Sequence, residues 1–281
     1  MKNFLLFTLI FCFASSLLAS TKEEAEILFS QRADDEENAL KAALIYADLA
    51  KAAPDVMTKA ELLYRESEAR YYYGTNLKGY WPIEISGVAE VPDEYKKERM
   101  AIHKIAYEIL LPVMQELKAM PQSDDRDDLL AQVIFFYGAN LGKWGENNGP
   151  VASLGQWGTL KAAMEEIKDL NRLAETEAYG SYRILGRGFY KLASLPGFGY
   201  KKAVTYLKKA YEGSLNSEKT TSIHGLNVLF YAEALVKVDE TALAKSILES
   251  FIAVNPETLH VGRIPETKVE QEFARKLLAT L

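Results

Sequence analysis

Apolar residues recur at every third or fourth position along most of the chain, and the strict alternation typical of strands is scarce. This pattern predicts an all-α protein. Residues 77–92, which contain two glycines and two prolines, form the longest irregular stretch of the prediction, with a short extended piece at 83–88. The predicted helices span residues 22–32, 36–53, 58–76, 93–119, 125–143, 156–174, 178–193, 200–213, 219–237, 240–253 and 266–280.

Several predicted helices carry the spacing of a tetratricopeptide unit, in which a small residue is followed by a large one four positions later, another core residue three later and a proline five further on. We therefore expect a tetratricopeptide-like helical-hairpin array, an α-α superhelix, in a single domain over residues 21–281. The matches are Ala42, Tyr46, Leu49 and Pro54, then Ala244, Leu248, Phe251 and Pro256, and, without the proline, Ala203, Leu207 and Ala210.

Gly186 lies at the small-residue position of a predicted first helix, ahead of the glycine-rich turn at 195–199. A bulky side chain at such a position would force two paired helices apart, because protein interiors are close-packed. We therefore expect Gly186 to lie at a close contact between two helices.

The first twenty residues have the features of a secretory signal peptide. Lys2 supplies the positive start, residues 4–18 are almost wholly apolar, and small residues follow. The apolar run is short for a membrane span, which makes a permanent anchor the weaker alternative. Cys12, the only cysteine, is preceded by the large Phe11 rather than by the small residue of a lipidation signal. The sequence predicts an exported protein, periplasmic or secreted, without a lipid anchor.

The net charge and the motifs of the sequence argue against several classes of function. A net charge of −6 argues against nucleic-acid binding, which favours clustered cations. The histidines, His103, His224 and His260, are far apart and lack metal-ligand spacing, and neither a phosphate-binding loop nor a nucleophile motif occurs. We therefore expect a non-enzymatic protein with no cofactor and no metal.

Aromatic clusters at residues 71–73 and 135–137 cannot all face one core, because successive helical side chains point about 100° apart. They indicate either packing between helices or the wall of a pocket. Asn140 and Arg183 interrupt apolar segments, and each is either a satisfied core group or a polar anchor for a small molecule.

Residues 137–144 and 179–187 together resemble the TatT-type family, the T-components associated with TRAP transporters. The resemblance extends over about residues 61–256. It implies a tetratricopeptide-like fold with a cavity or pore between helices, which passes a small organic acid or hydrophobic ligand to the substrate-binding subunit of an uptake system. Typical members are lipoproteins, unlike the protein predicted here. The candidate cavity residues are Asn140, Trp144, Tyr182 and Arg183, with Trp157 and Tyr73 as apolar wall.

Two classes of function follow, with a homo-oligomer as a candidate assembly in either. A ligand-binding accessory protein should enclose Trp144, Trp157 and Arg183 around a cavity. A tetratricopeptide scaffold for protein–protein interaction in the cell envelope should instead expose its aromatic residues along an open groove. In the first class we expect Arg183 to pair with a carboxylate and to contribute little to folding. The alternative for Arg183 is that it bridges neighbouring helices, in which case its loss should lower stability.

Overall fold

Side-chain caps fix the starts of several helices in the computed structural model, which describes residues 20–89 and 91–281. Thr21, Asp55 and Ser123 each accept a hydrogen bond from the backbone N–H three residues later. The predicted signal peptide, apart from Ser20, lies outside the described residues. The helices are α1 (Lys22–Ser30), α2 (Glu37–Lys51), α3 (Val56–Asn76), α4 (Asp93–Glu108), α5 (Leu110–Ala119), α6 (Asp124–Asn148), α7 (Pro150–Asp169), α8 (Gly180–Lys191), α9 (Tyr200–Gly213), α10 (Gly225–Val236), α11 (Thr241–Ala253), α12 (Pro256–Leu259) and α13 (Ile264–Leu278).

The prediction of an all-helical domain is confirmed. Within the described ranges the only extended pairing is at two isolated bridges, Ile85 with Ala89 and Leu215 with Ser222. The first bridge lies in the predicted irregular stretch between α3 and α4. None of the helices in the described part of the chain is both long and apolar enough to cross a membrane.

The predicted helix over residues 93–119 is divided at Ile109 into α4 and α5. Pro112 in the first turn of α5 has no N–H to donate to the carbonyl four residues earlier, and its ring crowds that carbonyl. A second difference concerns α10, which begins at Gly225 rather than near residue 219. Lys219 has φ 56°, a left-handed conformation that no helix interior accommodates.

Helices that are neighbours in the chain pack against each other, as α2 does on α3, α8 on α9 and α10 on α11, in one compact domain. The buried apolar side chains form two large cores. One lies among α9, α10, α11 and α13, and the other among α5, α6 and α7. Trp157 of α7 packs against both cores. A cavity lies where the two cores meet.

The expected close contact at Gly186 is confirmed. A Cβ atom added there would lie 2.5 Å from Cγ of Leu207 and 3.1 Å from the backbone nitrogen of the same residue. Ala203 and Ala210 on α9 are also fully buried. Small residues therefore allow α8 and α9 to approach closely.

Candidate functional site

A largely apolar cavity lies between α6, α7 and α8, with α10 behind it. Phe135 and Leu160 line it from one core, and Leu226 and Phe230 line it from the other. The cavity holds about 90 Å³ of space for water-sized molecules, several times the roughly 10–15 Å³ that one water needs. It is therefore suited to a small ligand rather than to a large one.

Three cations of α8 line one side of this apolar cavity. Arg183, Arg187 and Lys191 are spaced four residues apart and therefore lie on one helix face. We call them the cationic stripe. Successive members rise by about 6 Å along the helix axis. Lys191, whose side chain is 34% exposed, lies nearest to solvent, and Arg183 is buried.

Two side chains of α6 face the cationic stripe. Glu146 accepts a hydrogen bond from Lys143 Nζ at 2.9 Å and one from Arg187 Nε at 3.2 Å. Burial by itself would raise the pKa of Glu146, but the charges of Lys143, Lys191 and Arg187 together hold it well below its usual range. Glu146 is therefore a permanent carboxylate among cations.

The cavity nevertheless keeps an excess of positive charge. Its lining carries four cations, Lys143, Arg183, Arg187 and Lys191, against the single carboxylate of Glu146. From outside the lining, Glu233 pairs with Arg187 and Glu84 pairs with Lys191. Four cations against three carboxylates leave one positive charge in excess. The charge of Arg187 and burial together lower the pKa of Lys191, as expected where cations are crowded.

Arg183 is the cation of this group with no carboxylate within ion-pairing distance in the described part of the chain. Its Nη1 donates to the backbone oxygen of Glu177 and to Oδ1 of Asn227, both at 3.0 Å. The other guanidinium nitrogens have no hydrogen-bond partner among the described residues. Burial lowers the pKa of Arg183, although an arginine stays charged at neutral pH. Arg183 therefore bridges two chain segments and still has donors left for an anion.

The backbone that Arg183 holds is unusual. Glu177, Ala178 and Tyr179, directly before α8, have φ values of 50°, 51° and 62°. Left-handed backbone costs about 1–2 kcal/mol per residue for side chains other than glycine. Arg183 binds the carbonyl of Glu177, and Asn227 donates to the carbonyl of Ala178 at 2.9 Å. These two contacts stabilise the turn that sets the start of α8, and with it the direction of the cationic stripe.

Two of the six residues predicted from the sequence line the cavity, Arg183 and Trp157. The Trp157 ring packs edge-to-face on Phe189 and Phe198, with centroids 5.0 and 5.1 Å away. Gly188 provides the space for this ring, since an added Cβ would lie 2.2 Å from its Cζ3 atom. Trp157 therefore lies in the apolar wall of the cavity.

Asn140 lies outside the cavity lining and is a satisfied core group. It is fully buried, and its amide nitrogen donates to the backbone oxygens of Ser67 and Phe136 and to the Ser67 hydroxyl. Its Oδ1 atom lies 2.8 Å from Nδ1 of His103. The expectation that Asn140 and Arg183 converge on one cavity is therefore not met, because Asn140 is used to join α6 to α3 and α4.

The other three predicted residues also lie away from the cavity. The Trp144 ring packs on Tyr107 of α4. Tyr182 lies edge-on to Tyr206 of α9. Tyr73 is buried, and its hydroxyl donates to Glu37 of α2 at 3.1 Å. Each of these side chains therefore contacts a neighbouring helix.

Sequence reasoning did not identify Arg187, Lys191, Lys143 and Glu146 as cavity residues. A usable signal was present in α8, where Arg183, Arg187 and Lys191 recur every four residues on a predicted helix. For α6 no comparable signal exists, because only the fold brings Lys143 and Glu146 opposite α8.

Comparisons of the chain with protein-family models, with curated proteins and with solved structures found no match. The resemblance to the TatT-type family therefore remains a hypothesis.

Proposed function

We propose that this protein binds a small organic acid in the apolar cavity and that Arg183 pairs with its carboxylate. The observation that carries the proposal is the single excess positive charge in a mostly apolar lining, together with the unpaired guanidinium of Arg183. A planar guanidinium matches a carboxylate through two parallel hydrogen bonds. The apolar wall would cover the body of the ligand.

The biological role we infer is that of a non-enzymatic accessory component of TRAP-type solute uptake with a tetratricopeptide-like helical-hairpin fold. This role rests on the resemblance to the TatT-type family. It implies export to the periplasm or the exterior without a lipid anchor, and a substrate-binding subunit as partner. A homo-oligomer is compatible with the proposal.

A protein-binding scaffold is the competing function. The placement of the aromatic residues favours the ligand-binding function instead. A scaffold should expose aromatic side chains along a groove. Among the described residues the exposed large hydrophobic side chains are aliphatic, apart from Tyr200 at 37%. Trp157 and Arg183 instead line the cavity.

Native mass spectrometry of the purified protein tests for a co-purifying small acid. Calorimetric titration then compares hexanoate with hexanol, which have the same carbon chain and differ in the carboxylate. We expect hexanoate to bind and hexanol to bind at least tenfold more weakly. Arg183→Lys keeps the charge but loses the planar fork, and it should weaken hexanoate binding about tenfold.

Arg275→Lys is the matched control, because it makes the same exchange at an exposed residue that does not line the cavity. It should leave hexanoate affinity unchanged. Thermal melts identify any loss of fold in Arg183→Lys. Equal binding of hexanoate and hexanol, or an unchanged affinity in folded Arg183→Lys, would contradict the proposal.

A further inference from the structure

A second, polar pocket lies on the other side of the wall formed by Lys143, Glu146, Arg187 and Lys191. Its remaining sides come from the end of α3, from α4, and from the irregular stretch between them. The polar pocket has about 90 Å³ of space for water-sized molecules. The two pockets therefore share a charged wall but differ in the chemistry of their other walls.

Three side chains that line the polar pocket each carry a buried polar atom with no hydrogen-bond partner among the described residues. These atoms are Oγ1 of Thr75, Nε of Arg99 and Nε2 of His103, on side chains that are 7%, 5% and 0% exposed. Buried polar groups in proteins are nearly always hydrogen-bonded, and each exception needs an explanation. Three such atoms on side chains around one pocket are free to bond a polar ligand.

The hydrogen-bonding role of His103 follows from its neighbour. The amide nitrogen of Asn140 donates to Ser67 and Phe136, which leaves its Oδ1 atom as the acceptor facing Nδ1 of His103. Nδ1 must then carry a hydrogen, and in the neutral ring Nε2 is an acceptor. Burial lowers the pKa of His103 to about 3, with further lowering by Lys143 and Arg99. His103 therefore presents an acceptor to the polar pocket at neutral pH.

Arg99 presents the complementary donor. Its Nη2 atom donates to the carbonyl oxygens of Leu77 and Gly79, which fixes the guanidinium plane. The Trp81 ring lies 4.9 Å from the guanidinium carbon. Within the described ranges no carboxylate lies close enough to pair with Arg99. Like Arg183 in the apolar cavity, Arg99 is a buried cation, and its Nε–H has no hydrogen-bond partner among the described residues.

Among the described residues, more cations than carboxylates line the polar pocket. Five cations line it, Lys96, Arg99, Lys143, Arg187 and Lys191, against the carboxylates of Glu84 and Glu146. Asp93 pairs with Lys96, and Glu233 pairs with Arg187, from outside the lining. Arg99 is the cation of this lining that donates only to backbone carbonyls among the described residues, and it is therefore the group that suits a carboxylate ligand.

We propose that the polar pocket is a separate binding site for a short hydroxy carboxylate. The carboxylate of the ligand pairs with Arg99 and also accepts a hydrogen bond from the Thr75 hydroxyl. The ligand hydroxyl donates to Nε2 of His103. An unsubstituted carboxylate would leave this acceptor buried and unpaired, at a cost of about 1–3 kcal/mol, which corresponds to roughly 5- to 150-fold in affinity.

Titration with lactate and propionate tests the proposal, because these acids have the same carbon skeleton and differ in one hydroxyl. We expect lactate to bind at least fivefold more tightly than propionate. Thr75→Val removes the hydroxyl with little change in shape and should weaken lactate binding by about fivefold or more. Thr75→Ser keeps the hydroxyl and should bind lactate like the unmodified protein.

Arg183→Lys separates this site from the proposed function, since Arg183 lines the apolar cavity and not the polar pocket. It should leave lactate affinity unchanged, while Thr75→Val should leave hexanoate affinity unchanged. Equal affinities for lactate and propionate, or a Thr75→Val protein that folds and binds lactate normally, would overturn the polar site. Loss of lactate binding in Arg183→Lys would assign lactate to the apolar cavity instead and would also overturn it.

Discussion

At the scale of single residues, Gly186 and Gly155 show how the surroundings decide the effect of one methyl group. Both lie inside helices, where glycine is less favourable than alanine by roughly 0.5–1 kcal/mol. A Cβ on Gly186 would meet the side chain and the backbone of Leu207, whereas a Cβ on Gly155 would have no atom within 4 Å. The same substitution should therefore have opposite effects at the two positions.

We predict that Gly186→Ala lowers the free energy of unfolding by about 1–3 kcal/mol, because α8 and α9 must separate to admit the methyl group. Gly155→Ala should raise it by roughly 0.5–1 kcal/mol through helix propensity. Urea unfolding of both variants measures the two changes. Effects of the same sign would show that close packing at Gly186 does not govern its contribution.

The buried neutral His103 should make stability depend on pH. Its pKa is about 3 in the folded protein and about 6.5 in an unfolded chain. Between these values only the unfolded chain takes up the proton, so stability falls as the pH falls through this window. In this window the loss of unfolding free energy caused by His103 approaches about 1.4 kcal/mol per pH unit.

We therefore predict that His103→Gln, which cannot titrate, loses less stability than the unmodified protein between pH 7 and pH 5. Urea unfolding at several pH values measures the difference, and ionisations common to both proteins cancel. Parallel pH profiles for the two proteins would mean that His103 is protonated, or exposed, in the folded state.

At the scale of helices, hydrophobic periodicity predicted most of the elements, because an amphipathic face is a local property of the sequence. The division at Ile109 was also foreseeable from Pro112. The site was only partly foreseeable. Arg183 and Trp157 line the cavity, but Asn140 does not, since its role depends on Ser67 and on His103, 73 and 37 residues away in the chain. Partners at such separations are set by the fold rather than by local pattern.

Arg187 links three helices, because it pairs with Glu146 of α6 and with Glu233 of α10 from its position on α8. We predict that Arg187→Met lowers the free energy of unfolding by about 3 kcal/mol, since Glu233 is then left partly buried without a cation. Adding Glu233→Gln should recover at least half of this loss. A double-mutant cycle in urea measures the coupling, and strictly additive losses would exclude an energetic link between α8 and α10 through this pair.

At the scale of the whole molecule, a buried ion pair and a buried hydrogen bond connect the N-terminal part of the chain to the last helix and the residue before it. Arg32, just after α1, forms a bidentate ion pair with Glu266 of α13. Its Nε donates to Oε1 at 2.8 Å and its Nη2 donates to Oε2 at 3.1 Å. Arg263 binds the hydroxyl of Tyr72 on α3 at 3.1 Å. An open helical array has independent ends that can unfold separately. Contacts between the two ends should instead make unfolding cooperative.

We therefore predict that Arg32→Met lowers the hydrogen-exchange protection of α13 and of α3 together, because it leaves Glu266 buried without its cation. The matched control is Lys268→Met on α13, the helix that carries Glu266. Lys268 pairs with Glu257, but both side chains are more than half exposed, and such surface pairs contribute little. Its protection pattern should match that of the unmodified protein. If Arg32→Met releases only α13 while α3 keeps full protection, the two ends are not coupled and the last helix behaves as a separable cap.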